Sequence, residues 1–200
     1  MKRRNRFYII RHGQVAGYDR FPVYGHTDVE LTEIGFLQMK EAAERLRLLK
    51  IHAVYSSDLK RSMEGGRQAA RFHDVPFVPL PELREMYFGD WEGLTLGEIR
   101  ERYPDELDRR QADLFHFEPP GQGESMERFS KRVMTCFETI REKHEGGNVV
   151  IVAHGGVNRV ILCNAMGIDL NRMFTIHQDY GCLNIIDYFP DSCLVRLMNG

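Results

Sequence analysis

At 200 residues, with 42% hydrophobic and 28% charged side chains, the chain holds the material for one globular domain. A net charge of −2 argues against a nucleic-acid-binding or membrane-associated surface, and no apolar run is long enough to span a bilayer. The basic start, Lys2-Arg3-Arg4-Asn5-Arg6, precedes too few apolar residues for a signal core; it reads as a solvated tail on a cytoplasmic protein.

The first element is a strand, Phe7-Tyr8-Ile9-Ile10, ending in Arg11-His12-Gly13-Gln14. Ligands bind at the carboxyl ends of strands in open α/β sheets, so Arg11 and His12 stand at a site mouth. Gly13 permits a close backbone approach or a positive φ. A loop over about residues 13–31 follows, and Thr32 N-caps a helix with Met39, Ala43 and Leu46 on its apolar face. Ala53-Val54-Tyr55 is a second short strand. Ser56, Ser57 and Asp58 are N-cap candidates for a helix over about 58–73, which carries Arg61 and an interior Gly65-Gly66 costing ~1 kcal/mol per glycine relative to alanine. Close helix–strand packing is the plain reason for such a pair.

Phe77–Leu80 and Leu83–Phe88 read as extended, with Pro76, Pro79 and Pro81 placing them at an edge or in connections. The stretch from about 94 to 123 is charged, aromatic and proline-punctuated, and reads as a cap of short helices in which Arg109-Arg110 lies on a solvated face. Gly123-Glu124-Ser125 opens a longer helix with Phe129, Val133, Phe137 and Ile140 on one face, ended by Gly146-Gly147. A second signature strand, Asn148 to Val152, runs into Ala153-His154-Gly155-Gly156. A helix over 156–166 closes at Gly167, and Cys182–Tyr188 with Cys193–Met198 form a final strand pair. The four cysteines, Cys136, Cys163, Cys182 and Cys193, have neither Cys-x-x-Cys nor zinc spacing; they read as reduced thiols, with Cys182 and Cys193 facing each other across the hairpin. The alternation of strands and helices gives an α/β fold, helices on both faces of a mostly parallel sheet, one domain with an inserted cap.

Arg11, His12, Arg61 and His154 make a cationic pocket suited to a phosphate monoester, because guanidinium forks match phosphate oxygens. Neighbouring arginines disfavour imidazolium, so one histidine stays neutral and nucleophilic toward phosphorus. An acid for the leaving alkoxide is then needed, and the pattern leaves Glu82, Glu85 and Glu92 open.

These residues resemble the histidine phosphatase superfamily, in the branch that contains cofactor-dependent phosphoglycerate mutase. The resemblance rests on Arg11-His12-Gly13, on Gly25-His26-Thr27-Asp28-Val29-Glu30-Leu31-Thr32, on Ser56-Ser57-Asp58-Leu59-Lys60-Arg61, on Glu85 before Phe88-Gly89-Asp90-Trp91-Glu92-Gly93, and on Ala153-His154-Gly155-Gly156, in order from about residue 7 to 197. It implies a three-layer, phosphoglycerate mutase-like fold. It also implies His12 as phosphate acceptor, Arg11, Arg61 and His154 as the phosphate clamp, further contacts from Gln14, Gly25 and the Gly155 amide, and Glu85 as the acid. No metal or other cofactor is implied, since the arginines supply the positive charge. The partner is a small phosphorylated metabolite, and the C-terminal strands offer an edge for a homodimer.

Three departures stand out: Gln14 where the family often has Glu, Tyr18 where it often has Asn, and Gly65-Gly66 where Thr-Ala is usual. The compact length is that of the phosphatases rather than the mutases. The stretch from Glu82 to Glu92 and the tail around Gln178–Cys182 are similar to the α-ribazole phosphatases of cobalamin synthesis, with phosphoserine and broad-specificity phosphatases as the alternative. A non-catalytic phospho-ligand binder is the reading of another class; His12 and Glu85 both being present count against it.

Overall fold

A computed structural model describes residues 3–20 and 22–200. In chain order the elements are β1 (Asn5–Arg11), α1 (Glu33–Leu46), β2 (Ala53–Ser57), α2 (Lys60–Ala70), β3 (Phe77–Leu80), α3 (Leu96–Arg102), α4 (Pro104–Ala112), α5 (Met126–Lys143), β4 (Asn148–Ala153), α6 (Gly155–Met166), β5 (Leu183–Tyr188) and β6 (Cys193–Leu197), with short 3₁₀ turns between them. The strands form one sheet in the order β3-β2-β4-β1-β5-β6. The first four are parallel; β5 and β6 run antiparallel.

Because β1 and β4 are covered on both faces, they read as continuous apolar runs. Phe7, Ile9, Val149 and Ile151 point to the layer of α5 and α6, while Tyr8, Ile10, Val150 and Val152 point to α1 and α2. This is the expected α/β sandwich of three layers. The two central strands are adjacent and in register, Arg11 opposite Ala153, and the His12 N–H donates to the Ala153 carbonyl at 2.9 Å. Both signature histidines therefore leave the sheet at the same end.

Local chemistry sets several boundaries. Thr32 caps α1 by accepting from the Gly35 N–H at 3.0 Å, as the sequence predicts. A Cβ on Gly13 would fall 2.1 Å from the Gly35 carbonyl oxygen, so the glycine serves a close approach of β1 to α1 and not a positive φ. The Gly65-Gly66 pair has its reason too. A Cβ on Gly65 would lie 2.5 Å from Met39 Sδ and 2.8 Å from Val152 Cγ1, and one on Gly66 would lie 2.4 Å from Phe77. The two glycines let α2 settle directly onto α1 and the sheet.

Four expectations need correction. Ser56 and Ser57 belong to β2, paired to both β3 and β4, and α2 begins after Leu59 with no side-chain cap of its own. The cap comes from elsewhere in the chain: Asp28 accepts from the Lys60 N–H at 2.8 Å. Leu83–Phe88 forms no strand, because β3 is the sheet edge and the segment spends its amides on carboxylates. Met86, Tyr87 and Phe88 N–H groups donate to Glu85, Glu124 and Glu92. The basic start is no solvated tail: β1 begins at Asn5, Arg6 forks onto Asp187 at 2.5 and 2.7 Å, and Arg3 donates to Asn148; Lys2 lies outside the described residues. Finally, Cys193 pairs with Tyr188 across the hairpin, and its thiol donates to the Ala165 carbonyl, so it does not face Cys182.

Candidate active site

His12 follows β1, and His154 occupies the N-cap position between β4 and α6. Their ring centroids are 5.1 Å apart. His12 is 6% exposed, Arg61 1%, and His154 fully buried. The His12 Nδ1 lies 2.8 Å from the Gly13 carbonyl oxygen, which can only accept, so the proton sits on Nδ1 and the Nε2 lone pair is free. Burial, reinforced by the Arg61 and Arg11 guanidinium charges, holds His12 well below the usual imidazole range. The same causes, with His12 itself added, hold His154 there. Both rings are therefore neutral near pH 7.

Arg61 is fixed from three sides. Its Nη1 donates to the Thr27 carbonyl and its Nη2 to the Gly25 carbonyl, both at 2.7 Å, and its Nε donates to His154 Nδ1 at 3.3 Å. Glu92 in turn holds that loop by accepting from the His26 and Thr27 N–H groups at 2.8 and 2.7 Å and from the Thr27 hydroxyl. His154 Nε2 lies 3.3 Å from Ser62 Oγ, so with Nδ1 accepting, the His154 proton faces the serine. Arg11 donates from Nη1 to the Gln178 carbonyl at 2.6 Å, and its buried Nε meets no acceptor among the described residues.

The three candidate acids separate cleanly. Glu92 is committed to backbone amides of the Gly25 loop. Glu82 is exposed and borders a different groove beside α5. Glu85 alone reaches the site: its carboxylate accepts from the Gly156 N–H at 2.8 Å, one residue into α6, and lines a cavity of about 250 Å³. Tyr24, Phe88, Phe129 and Phe174 give that cavity apolar walls, and Arg110 and Arg159 add charge.

The remaining predicted residues take different places. Gly155 opens α6, where its N–H is one of the first-turn donors that a helix leaves unpaired, and a Cβ there would meet Arg159 Nη1 at 3.0 Å and Arg11 Nε at 3.5 Å. Gly25 serves through its carbonyl on Arg61. The Gln14 side chain accepts from the Thr32 hydroxyl at 2.9 Å, which turns its carbonyl toward the α1 cap and leaves its NH₂ for other partners. Tyr18 is 40% exposed in a 3₁₀ turn and does not line the cavity. Arg109 pairs with Glu106 on the surface as expected; Arg110 is half-buried, has no ion-pair partner within 4.0 Å among the described residues, and faces the cavity. Arg159 lies outside every motif of the sequence, and Tyr180 falls in the Gln178–Cys182 stretch with no role assigned to it. Arg159 sits one turn into α6, on the side of Gly155, and such spacing from a site glycine was the available signal.

Two strand ends, a clamped guanidinium and a carboxylate at a helix start thus come together at one end of the sheet, and comparison with known proteins gives the chain its family. Residues 7–200 match the model for the histidine phosphatase superfamily (branch 1). The chain is 34% identical over 155 residues to the metal-independent phosphoserine phosphatase of Arabidopsis thaliana, covering 76% of this chain but only 65% of that one. It is 27% identical over 195 residues to the adenosylcobalamin/alpha-ribazole phosphatase of Escherichia coli K12, covering 98% and 96%. The crystal structure of the alpha-ribazole phosphatase from Shigella flexneri superposes with a TM-score of 0.89 at 28% identity, covering 98% and 96%. A family match over nearly the whole length, on top of the site geometry, leaves one conclusion: the chain belongs to the histidine phosphatase superfamily.

Proposed function

We propose that the protein hydrolyses small phosphate monoesters through a phosphohistidine on Nε2 of His12. The observation that carries this is the Nδ1 bond to Gly13, which leaves a neutral Nε2 lone pair beside Arg11 and Arg61. In the first step Nε2 attacks phosphorus, the ester P–O bond breaks, and the departing oxygen takes the Glu85 proton. In the second, Glu85 removes a proton from water, the hydroxide attacks phosphorus, the N–P bond breaks, and phosphate leaves with His12 and Glu85 restored. Arg11 and Arg61 spread the charge of the transferring group; His154 contributes by fixing the Nε edge of Arg61. The Gly155 amide and the Gln14 NH₂ add donors, and the guanidinium groups take the place of a metal ion.

For the leaving group, the reading with most support is α-ribazole, released from α-ribazole 5′-phosphate. The near-full-length likeness to proteins of that name supports it, and so do the aromatic walls of the cavity beside Glu85, which suit a flat base. A second reading, phosphoserine or another monoester with an anionic leaving group, draws on Arg110 and Arg159 in the same cavity. Phosphate release with EDTA present, across α-ribazole 5′-phosphate, phosphoserine, 3-phosphoglycerate, sugar phosphates and mononucleotides, decides between them. A preference for α-ribazole 5′-phosphate upholds the first reading, and one for the carboxylated esters upholds the second. Silence across the panel overturns the phosphatase itself.

A further inference from the structure

Arg11 is held at one edge only. Its Nη1 is tied to the Gln178 carbonyl, and Gln178 is fixed inside the protein by Asn158 and Asn184. The opposite, Nε-bearing edge has no acceptor among the described residues, and it lies beside Gly155, whose amide the mechanism above gives to the phosphoryl group. A planar fork anchored by one corner can still tilt out of plane. Tilting would waste its bidentate geometry.

One side chain blocks that motion. The Tyr180 ring covers the face of the Arg11 guanidinium, 4.0 Å from Cζ to ring centroid, and its centroid is 5.7 Å from that of His12. The turn that carries the ring is stitched to the same strand end. The Gly181 N–H is shared between the Arg11 and His12 carbonyls, at 3.2 Å each, and the Arg11 N–H donates to the Cys182 carbonyl at 3.1 Å. The backbone that carries the ring is therefore tied to the backbone of Arg11 and of the proposed nucleophile.

We propose that Tyr180 is a positioning residue of the phosphoryl clamp: its ring sets the plane of Arg11 so that the Nε edge faces the phosphoryl group on His12. The proposal rests on the phosphohistidine reading above. It assigns the role to the aromatic face and not to the hydroxyl, and a face-on guanidinium–aromatic contact at a half-buried site corresponds to ~3- to 30-fold in binding.

The test is a double-mutant cycle, read by calorimetric titration of orthovanadate and by kcat/KM on p-nitrophenyl phosphate. Tyr180→Phe is expected to stay within about 2-fold of wild type, and Tyr180→Ala to weaken vanadate binding ~3- to 30-fold with a matching loss of kcat/KM. In an Arg11→Ala background, Tyr180→Ala should add nothing, because its effect passes through Arg11. Three results overturn the proposal: an unchanged Tyr180→Ala, a Phe variant as impaired as the Ala variant, or losses that add in the double mutant. Wild-type protein that binds vanadate without turning over any ester defeats the phosphatase reading alone, and the binding arm of the cycle still decides Tyr180. Wild-type protein that binds no vanadate defeats both.

Discussion

Lowering the pH from 7.5 to 5.0 should remove a large part of the folding stability through two side chains. His12 and His154 are buried and held neutral, chiefly by desolvation and then by Arg61. In the unfolded chain both titrate near 6.5. Below that value the unfolded state takes up protons that the folded state refuses, so stability falls as pH falls and is indifferent to these groups above about pH 7. For a ring that stays neutral in the fold, the cost at pH 5.0 is RT ln(1 + 10^1.5), or about 2 kcal/mol, and for the pair about 4 kcal/mol. Against a typical total of ~5–15 kcal/mol this is a visible loss. His26, His73 and His144 are lowered by partial burial and act with the same sign. Asp58 and Asp187 are lowered as carboxylates, so what they contribute is present above about pH 4 and does not change in this window. Urea unfolding at half-unit pH steps measures the slope, and His12→Gln and His154→Gln should each remove roughly a third to a half of it. A flat profile from pH 7.5 to 5.0, or a slope that both variants leave untouched, would refute the assignment of these rings as buried and neutral.

Other outcomes follow from the same geometry. Glu85→Gln should slow hydrolysis of alkyl phosphates by ~10²–10⁴-fold while sparing p-nitrophenyl phosphate, whose leaving group needs little protonation; equal losses on both would place the acid elsewhere. Arg110→Gln should lower kcat/KM for phosphoserine and leave α-ribazole 5′-phosphate nearly unchanged, since only an anionic leaving group calls on that guanidinium; an equal effect on both removes Arg110 from specificity. Gly65→Ala gains ~1 kcal/mol of helix propensity but drives a methyl into Met39 and Val152, an overpacking cost of ~1–3 kcal/mol. A net loss, seen as a lower urea midpoint, is expected; a more stable variant would mean the helix does not rest on the sheet as described.

What was legible in the sequence is what repeats locally or ends abruptly. β1 and β4 were readable because apolar runs stop at Arg11-His12 and at His154, and charge at a strand end has few explanations other than a site. The α1 cap at Thr32 and the helical face of α5 are likewise local patterns. The failures were cases where side chains, several of them distant, took over a local backbone role. Ser56 and Ser57 look like caps, yet neighbouring strands claim their backbone and Asp28, 32 positions away, caps α2 instead. Leu83–Phe88 has an extended pattern, yet three carboxylates replace the ladder. The choice among Glu82, Glu85 and Glu92 turned on which carboxylate meets the start of α6, a contact across 71 positions for Glu85. Only the one-turn spacing from Gly155 points to Arg159, and nothing local to the Gln178–Cys182 stretch shows that the Tyr180 ring meets Arg11.

In the proposed mechanism the arginines do more than bind phosphate. Behind burial, Arg61 and Arg11 disfavour a proton on His12, which helps keep its Nε2 lone pair available, and in the proposed reaction the same charges would attract the dianion that this lone pair attacks. Binding and nucleophilicity are thus two consequences of one field. The field also has a built-in release: a bound phosphoryl group offsets the guanidinium charge that opposed positive charge on the ring, so the imidazole can carry the charge that develops as its N–P bond forms. A histidine made neutral by burial alone would have no such relief, because desolvation persists after phosphate arrives. For the proposed acceptor ring, fixed positive charge therefore adds to burial an effect that apolar cover alone would not supply. That is why both the Arg61 scaffold through Gly25 and Thr27 and the Arg11 anchor at Gln178 are built from backbone carbonyls, which hold a guanidinium in place without cancelling its charge.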